Sequence, residues 1–167
     1  MAQSMPKPAL RPMLPSDAPL LAAIFRAAIE TLAEEDYDEA QRAAWIAMAD
    51  HEKAFARGLT ENLTLVATIG GGAVGFASLK GADQLHMLYV HPAVAGQGVA
   101  TLLCDALERL AQGRGAKKIT GEISDTALPL FQKRGYTPQK RNTIPIGDVW
   151  LGNTTMTKAL GAPDQKT

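Results

Sequence analysis

Apolar residues recur every three or four positions over the first part of the chain, which is the spacing of an amphipathic helix. The segment PSDAPLLAAIFRAAIETL follows this pattern throughout. Ser16 or Asp17 is expected to cap its first turn, and Pro19 stands where a helix tolerates proline. The segment ALRPM (9–13) predicts a short strand ahead of it. The chain is therefore expected to begin with a strand and then a helix.

Two more helices are predicted before the pattern changes. The segment DYDEAQRAAWIAMA has helical spacing, and Asp36 and Glu39 stand three positions apart, as in a capping box. A shorter helix is expected over 52–57, with Gly58 ending it.

Strands follow. LTLVATI (Leu63–Ile69) and AVGFASLK (73–80) are apolar runs separated by consecutive glycines, which predicts a hairpin. QLHMLYV (Gln84–Val90) is expected to be the next strand.

Helices and strands alternate in the rest of the chain. Helical spacing resumes over 96–112, KKITGEIS (117–124) predicts a strand, and TALPLFQKR predicts a short helix ended by Gly135. RNTIPI and VWLGNTTMTK predict a closing hairpin. The order β-α-α-β-β-β-α-β-α-β-β indicates an α/β fold with a mixed sheet of about seven strands. One domain over 1–167 is expected, with flexible tails at 1–8 and 161–167.

Composition narrows the classes of function. The chain has 17 basic and 17 acidic residues, so it lacks the basic surplus of a typical nucleic-acid-binding protein. Cys104 is the only cysteine, which excludes an internal disulfide and a cysteine-rich metal site. No apolar run reaches the length of a membrane span and the N-terminus lacks an apolar signal core. We expect a soluble, cytoplasmic protein with no nucleic-acid, membrane or metal partner.

Gly96 and Gly98 lie where a strand leads into a helix, in the stretch VHPAVAGQGVATLL. A Walker phosphate loop requires Gly-Lys, which the chain lacks, and a dinucleotide fingerprint requires a third glycine. Two interpretations remain. The glycines either expose backbone N–H groups of a helix N-terminus to an anion, or they serve a tight turn and close packing of helix on sheet.

The same stretch resembles the acyl-CoA-binding motif of GNAT N-acetyltransferases: Arg or Gln, two residues, Gly, one residue, then Gly or Ala. Residues 95–100 (AGQGVA) match it, LYVHP (88–92) matches the preceding strand, and ALPLFQKRGYTP is similar to the elements that follow. There are two departures. Ala95 replaces the usual Arg or Gln, and Phe131 replaces a tyrosine that protonates the departing CoA thiolate in many members.

The resemblance implies a V-shaped sheet in which pantetheine lies between the strands 84–90 and 118–124. It also implies direct transfer of an acetyl group from acetyl-CoA to a primary amine of a small molecule or peptide. A non-catalytic CoA-binding or regulatory module on the same fold is the alternative, and the exposed strand edges leave a homodimer open. The implied acetyl-CoA-binding residues are Met87, Leu88, Tyr89, Val90, Gly96, Gln97, Gly98, Val99, Ala100, Thr101, Phe131 and Lys133.

Three residues are candidates for proton transfer. His86 is the first candidate for the base, because a free imidazole titrates near pH ~6.5; a structural strand histidine is the alternative. Glu122 is a second base candidate or an ordinary surface carboxylate, and Tyr89 is either a substitute acid or an aromatic packed on the sheet. Cys104 lies among leucines and is interpreted as a buried core residue, not a nucleophile.

The segment before and within the second helix is the candidate acceptor site. Tyr37, Gln41 and Trp45 are four apart and share one helix face. The aromatic rings are expected to hold the substrate, and the neighbouring acids to attract a cation. The alternatives are that the aromatics belong to the core and that the acids stabilise a helix N-terminus.

Overall fold

The computed structural model describes residues 6–161, so the predicted tails fall mostly outside the described residues. Seven strands form one mixed sheet in the order β1-β2-β3-β4-β5-β7-β6, which confirms the predicted α/β class and strand number. The strands are β1 Ala9–Pro12, β2 Leu63–Ile69, β3 Gly72–Lys80, β4 Gln84–Val90, β5 Lys118–Ser124, β6 Thr137–Ile146 and β7 Val149–Ala159. The helices are α1 Ala18–Leu32, α2 Glu39–Ile46, α3 Glu52–Thr60, α4 Val99–Gly113 and α5 Leu128–Lys133. None of the helices in this part of the chain is both long and apolar enough to cross a membrane.

The boundaries of two helices differ from those predicted. Gly58 does not end α3, because its backbone stays helical and the helix continues to Thr60. The capping box of α2 is formed by Asp38 and Gln41, whose side chains exchange bonds with each other's backbone N–H at 2.8 and 2.9 Å. Asp36, the predicted cap, instead accepts a hydrogen bond from the hydroxyl of Thr126.

Helix α1 begins where predicted, after Asp17 as N-cap residue, but Asp17 makes no side-chain capping bond. Its buried carboxylate instead accepts a bidentate pair of hydrogen bonds from Arg11 and one from the Leu14 N–H. Helix α4 begins at Val99 and not at Gly96, because Gly96 and Gly98 have positive φ.

Strands β4 and β5 run parallel but separate after two residue pairs, Gln84–Thr120 and Leu85–Gly121. On the other edge of β4, Ser78 pairs with Met87 and Leu79 with Leu85, which leaves His86 as the extra residue of a β-bulge. A bulge bends a strand and increases its twist. The sheet is therefore splayed open along the second half of β4.

The sheet is covered on both faces. Helices α4 and α5 pack on one face, and α1, α2 and α3 pack on the other. Helix α4 lies very close to the sheet over Gly75, where an added Cβ would be 3.1 Å from the Tyr89 carbonyl oxygen and 3.2 Å from Val99 Cγ1. This close approach places the N-terminus of α4 beside the open end of β4.

A half-buried charge network holds α4 to the end of the chain. The Glu108 carboxylate accepts hydrogen bonds from Arg134 Nη2 (2.9 Å), Lys158 Nζ (2.7 Å) and the Tyr136 hydroxyl (3.0 Å). Asp105, one turn earlier, pairs with Arg134 at 2.6 Å. Glu108 thus joins α4, the residue after α5, and strand β7.

Candidate active site

The N-terminus of α4 presents bare backbone. Its N-cap residue is Gly98, which has no side chain that could cap the helix. Within residues 6–161, no hydrogen bond is found for the N–H groups of 98–101. Gly96 and Gly98 have φ of +79° and +82°, and an added Cβ would meet no atom within 4 Å at either position. Tight turns therefore require these glycines, and close packing does not; the glycine that packs against α4 is Gly75.

Three neighbouring cavities occupy the region where β4 and β5 separate. The α4 cavity, about 200 Å³, is lined by residues that include Leu88, Val90, Ala100 and Leu130. The central cavity, about 330 Å³, shares Trp45, Leu88, Tyr89, Ser124 and Ala127 with it. The polar cavity, about 280 Å³, shares Leu85, His86 and Glu122 with the central cavity and is also lined by Lys80, Gln84, Thr120, Gly121 and Thr155.

His86 stands between the central cavity and the polar cavity because of the bulge in β4. Its side chain remains open to solvent, but surrounding protein atoms remove part of its hydration. This desolvation lowers the pKa of His86 below its ordinary 6.5, and the charge of Lys80 acts in the same direction. His86 is therefore a neutral imidazole at pH 7, able to accept a proton.

Glu122 lines the same two cavities as His86. It projects from β5 opposite Thr155 of β7 and is exposed. No lysine or arginine of the described chain forms an ion pair with it. Its negative charge is thus available to a cation in either cavity.

Tyr89 belongs to an aromatic cluster on the α1 side of the sheet. Its ring centroid lies 4.7 Å from that of Phe25, 5.6 Å from Phe76 and 6.3 Å from Trp45. Burial raises the pKa of the Tyr89 hydroxyl. A raised pKa weakens Tyr89 as a proton donor, so this geometry favours the packing interpretation over the acid.

The two predicted residues of α5 differ in position. Phe131 is buried, lines the central cavity, and packs edge-to-face on Tyr136 with centroids 4.8 Å apart. Because the Phe131 ring carries no ionisable group, it cannot protonate the departing thiolate. Lys133 is exposed in the last turn of α5 and lines none of the three cavities.

The predicted acceptor residues separate into two kinds. Tyr37 and Trp45 line the central cavity, with their rings edge-to-face at 5.4 Å. Gln41 does not line it: its side chain completes the α2 capping box and donates to the Trp150 carbonyl oxygen at 2.8 Å. The predicted shared helix face is wrong for Tyr37, which lies before α2, because the helix begins at Glu39 with Asp38 as its cap. The sequence pattern also does not show that the amide of Gln41 is already engaged.

Two features were missed from the sequence. The Tyr37 hydroxyl donates to the Gly152 carbonyl oxygen (2.6 Å) and accepts from the Asp125 N–H (2.9 Å), joining the ends of β5 and β7. The β6–β7 hairpin supplies part of the central cavity wall, through Ile144, Ile146, Leu151 and Asn153. No local signal indicates these contacts, because the partners are about a hundred residues apart in the chain.

A mixed sheet splayed beside a bare helix N-terminus is the architecture that the acyltransferase resemblance implies, and comparison with known proteins agrees. Residues 33–159 match the model of the acetyltransferase (GNAT) domain. The chain is 30% identical over 147 residues to the uncharacterized N-acetyltransferase YafP of Escherichia coli, covering 88% of this chain and 93% of the relative. The chain belongs to the GNAT family of N-acetyltransferases.

Solved structures give the same fold. A GCN5-related N-acetyltransferase from Rhodopseudomonas palustris superposes with a TM-score of 0.91 at 54% identity, covering 96% of this chain and all of that one. PaiA N-acetyltransferase from Thermoplasma acidophilum, solved with coenzyme A, has a TM-score of 0.72 at 17% identity, covering 92% and 99% of the chains. YncA from Salmonella typhimurium, solved with acetyl-CoA, has a TM-score of 0.64 at 22% identity, covering 98% and 100%.

Proposed function

We propose that this protein transfers an acetyl group from acetyl-CoA to a primary amine in a single direct step. One observation carries the proposal: the gap between β4 and β5 leads from the bare N-terminus of α4 to a cavity that contains His86 and Glu122. The N-terminus of α4 suits a phosphate-bearing donor, and the cavity with His86 and Glu122 suits an amine that must lose a proton.

The residues around α4 fit the pyrophosphate of acetyl-CoA. The N–H groups of 98–101 and the positive end of the helix dipole favour an anion there. The space above Gly96 and Gly98 is open, so a phosphate can reach the backbone. Ala95 removes a side-chain contact that the family usually has, but these backbone donors remain. PaiA and YncA, solved with coenzyme A and acetyl-CoA, support this choice of donor through their shared fold.

The open edge of β4 fits the pantetheine arm. Beyond Leu85, no strand in the described part of the chain pairs with β4 on its β5 side, so the β4 backbone groups there can bind an extended ligand as an added strand would. We assign the Leu88 N–H as the donor to the thioester oxygen. A preorganised donor of this kind stabilises the negative charge that develops on the oxygen by about 3–4 kcal/mol.

The reaction requires a free amine. A lysine-like amine has a pKa near ~10.4, so it must give up a proton before its nitrogen attacks the thioester carbon. We assign His86 as the acceptor of that proton, with the charge of Glu122 drawing the ammonium form into the cavity. As the new C–N bond forms, the C–S bond breaks and sulfur leaves as a thiolate. The nitrogen then loses its second proton, and the thiolate takes up a proton to give free CoA thiol. With a thiol pKa of ~8.5, the thiolate is a tolerable leaving group without an acid at Phe131.

Cys104 takes no part in this scheme. It is fully buried on the inner face of α4, and burial raises the pKa of its thiol to about 12. A thiol in that state is not a nucleophile at neutral pH. Direct transfer therefore fits the site better than an acyl-enzyme.

Calorimetric titration with acetyl-CoA, beside NADH and ATP, tests the donor. We expect selective binding of acetyl-CoA, followed by release of free CoA thiol when amines are added. Binding without thiol release from any amine would instead support a non-catalytic CoA-binding module. No binding would refute the assignment of the α4 site.

The role of His86 predicts a pH profile. Because His86 must be neutral to act, kcat should fall only below its lowered pKa, on the acid side of 6.5. His86→Gln should reduce kcat about 100-fold near pH 7, with partial recovery at high pH, where more of the amine is already neutral. Glu122→Gln is the matched variant and should mainly raise KM for the amine. If the fall of kcat at acid pH disappears in the Glu122 variant and persists in the His86 variant, Glu122 and not His86 accepts the proton.

A further inference from the structure

The central cavity has a side that α4 does not approach, and that side is largely hydrocarbon. We call it the acceptor half and define it by the central-cavity residues that do not line the α4 cavity. Its apolar walls come from α1, the loop before α2, the turn after α2, and the β6–β7 hairpin. They are formed by Phe25, Tyr37, Met48, Ile144, Ile146 and Leu151.

The hydroxyl of Tyr37 is already engaged. It donates to the Gly152 carbonyl oxygen and accepts from the Asp125 N–H. The Tyr37 ring therefore meets a ligand with its carbon surface, as does the ring of Phe25. An acceptor with many polar groups would find few hydrogen-bond partners on this side.

Few ionisable residues line the central cavity. Of the described residues, His86, Glu122 and the tyrosines are the ionisable ones that line it, and no lysine or arginine among residues 6–161 does so. Lys80 lines the polar cavity but not the central one. The single carboxylate of Glu122 can pair with one ammonium group of an acceptor. A second charge on the acceptor, of either sign, would lie against apolar walls without a partner, which is unfavourable.

We propose that the natural acceptor is a small arylalkylamine: one primary amine on a compact, uncharged, aromatic body. The inference rests on the acetyl transfer proposed above and specifies its substrate class. The amine points to His86 and Glu122, and the ring lies against the apolar walls of the acceptor half. At about 330 Å³, the central cavity is at the small end of ligand sites and must also receive the acetyl end of the donor.

A matched set of amines tests the proposal through CoA thiol release at saturating acetyl-CoA. The set is 2-phenylethylamine, L-phenylalanine (the same body plus a carboxylate), 1,4-diaminobutane (a second cation without a ring) and a short peptide beginning with alanine. We expect kcat/KM for 2-phenylethylamine to exceed each of the others by at least about 30-fold, because each places an unpaired charge or polar group in the acceptor half.

Met48 offers a gain-of-charge test because it lines the cavity and is 46% exposed, so a polar side chain there should be tolerated. Met48→Glu should raise kcat/KM for 1,4-diaminobutane relative to 2-phenylethylamine at least about fivefold, by pairing with the distal ammonium. The isosteric variant Met48→Gln should leave that ratio within about twofold of the unmodified protein.

The outcomes separate the two proposals. Turnover of the diamine, the amino acid or the peptide at or above the rate of 2-phenylethylamine would overturn the arylalkylamine class and leave acetyl transfer standing. An unchanged ratio in Met48→Glu would also overturn it. Bound acetyl-CoA with no turnover of any amine would overturn the proposed function and this inference with it.

Discussion

Gly98→Glu is expected to abolish measurable acetyl-CoA binding, a loss of at least about 100-fold, while the protein remains folded. The substituted side chain would begin in the open space above the N-terminus of α4, where an added Cβ meets no atom within 4 Å. Its carboxylate would compete with a pyrophosphate for the N–H groups of 98–101 and repel it. Calorimetric titration with acetyl-CoA measures the effect.

The control for Gly98→Glu is Gly71→Glu. Gly71 lies in the β2–β3 turn with φ of +85°, almost equal to the +82° of Gly98, and it too has no neighbour within 4 Å. Both variants therefore carry the same backbone strain, about 1–2 kcal/mol, and the same change in charge. We expect Gly71→Glu to bind acetyl-CoA normally and to lose the same amount of stability. Equal affinity in the two variants would show that no anion binds at α4.

Glu108→Ala is expected to lower the free energy of unfolding by about 3 kcal/mol, the largest stability effect we predict. Glu108 is the common acceptor for Arg134, Lys158 and Tyr136. The side chains of Glu108 and Arg134 are each only 12% exposed, and Lys158 is 26% exposed. Without the carboxylate, Lys158 and the buried Tyr136 hydroxyl would lose their acceptor, and Arg134 would keep only Asp105. Breaking a buried network in this way is strongly unfavourable.

Asp105→Ala is the comparison for Glu108→Ala, because Asp105 also bonds to Arg134 but is 47% exposed and has no other partner in the network. Its removal should cost less than about 1 kcal/mol, as for most exposed ion pairs. Urea denaturation of both variants measures the difference. Similar losses in both would mean that Glu108 acts as an ordinary surface charge. Glu108→Gln, which keeps the shape and a neutral acceptor, should lie between the two.

The local sequence pattern was sufficient to predict most of the strands and helices. Apolar spacing and glycine turns are properties of neighbouring residues, so the strands, the main helices and the turn at Gly96 and Gly98 appear in the sequence. Predictions failed where two local signals competed. Asp36 and Asp38 can both begin α2, and only the contact of Asp36 with Thr126 decides between them. Gly58 commonly ends a helix, but here the backbone remains helical.

Sequence similarity identifies the family, and the local pattern predicts the glycine turn before α4 and the histidine and carboxylate on the strands beside it. How these residues act together depends on the tertiary structure. The separation of β4 from β5, the bulge that places His86 between two cavities, and the apolar wall from the β6–β7 hairpin all depend on contacts between distant segments. Such contacts leave no periodic signal along the chain. They exist only once packing brings α2, β5 and β7 together, as it does through the hydroxyl of Tyr37.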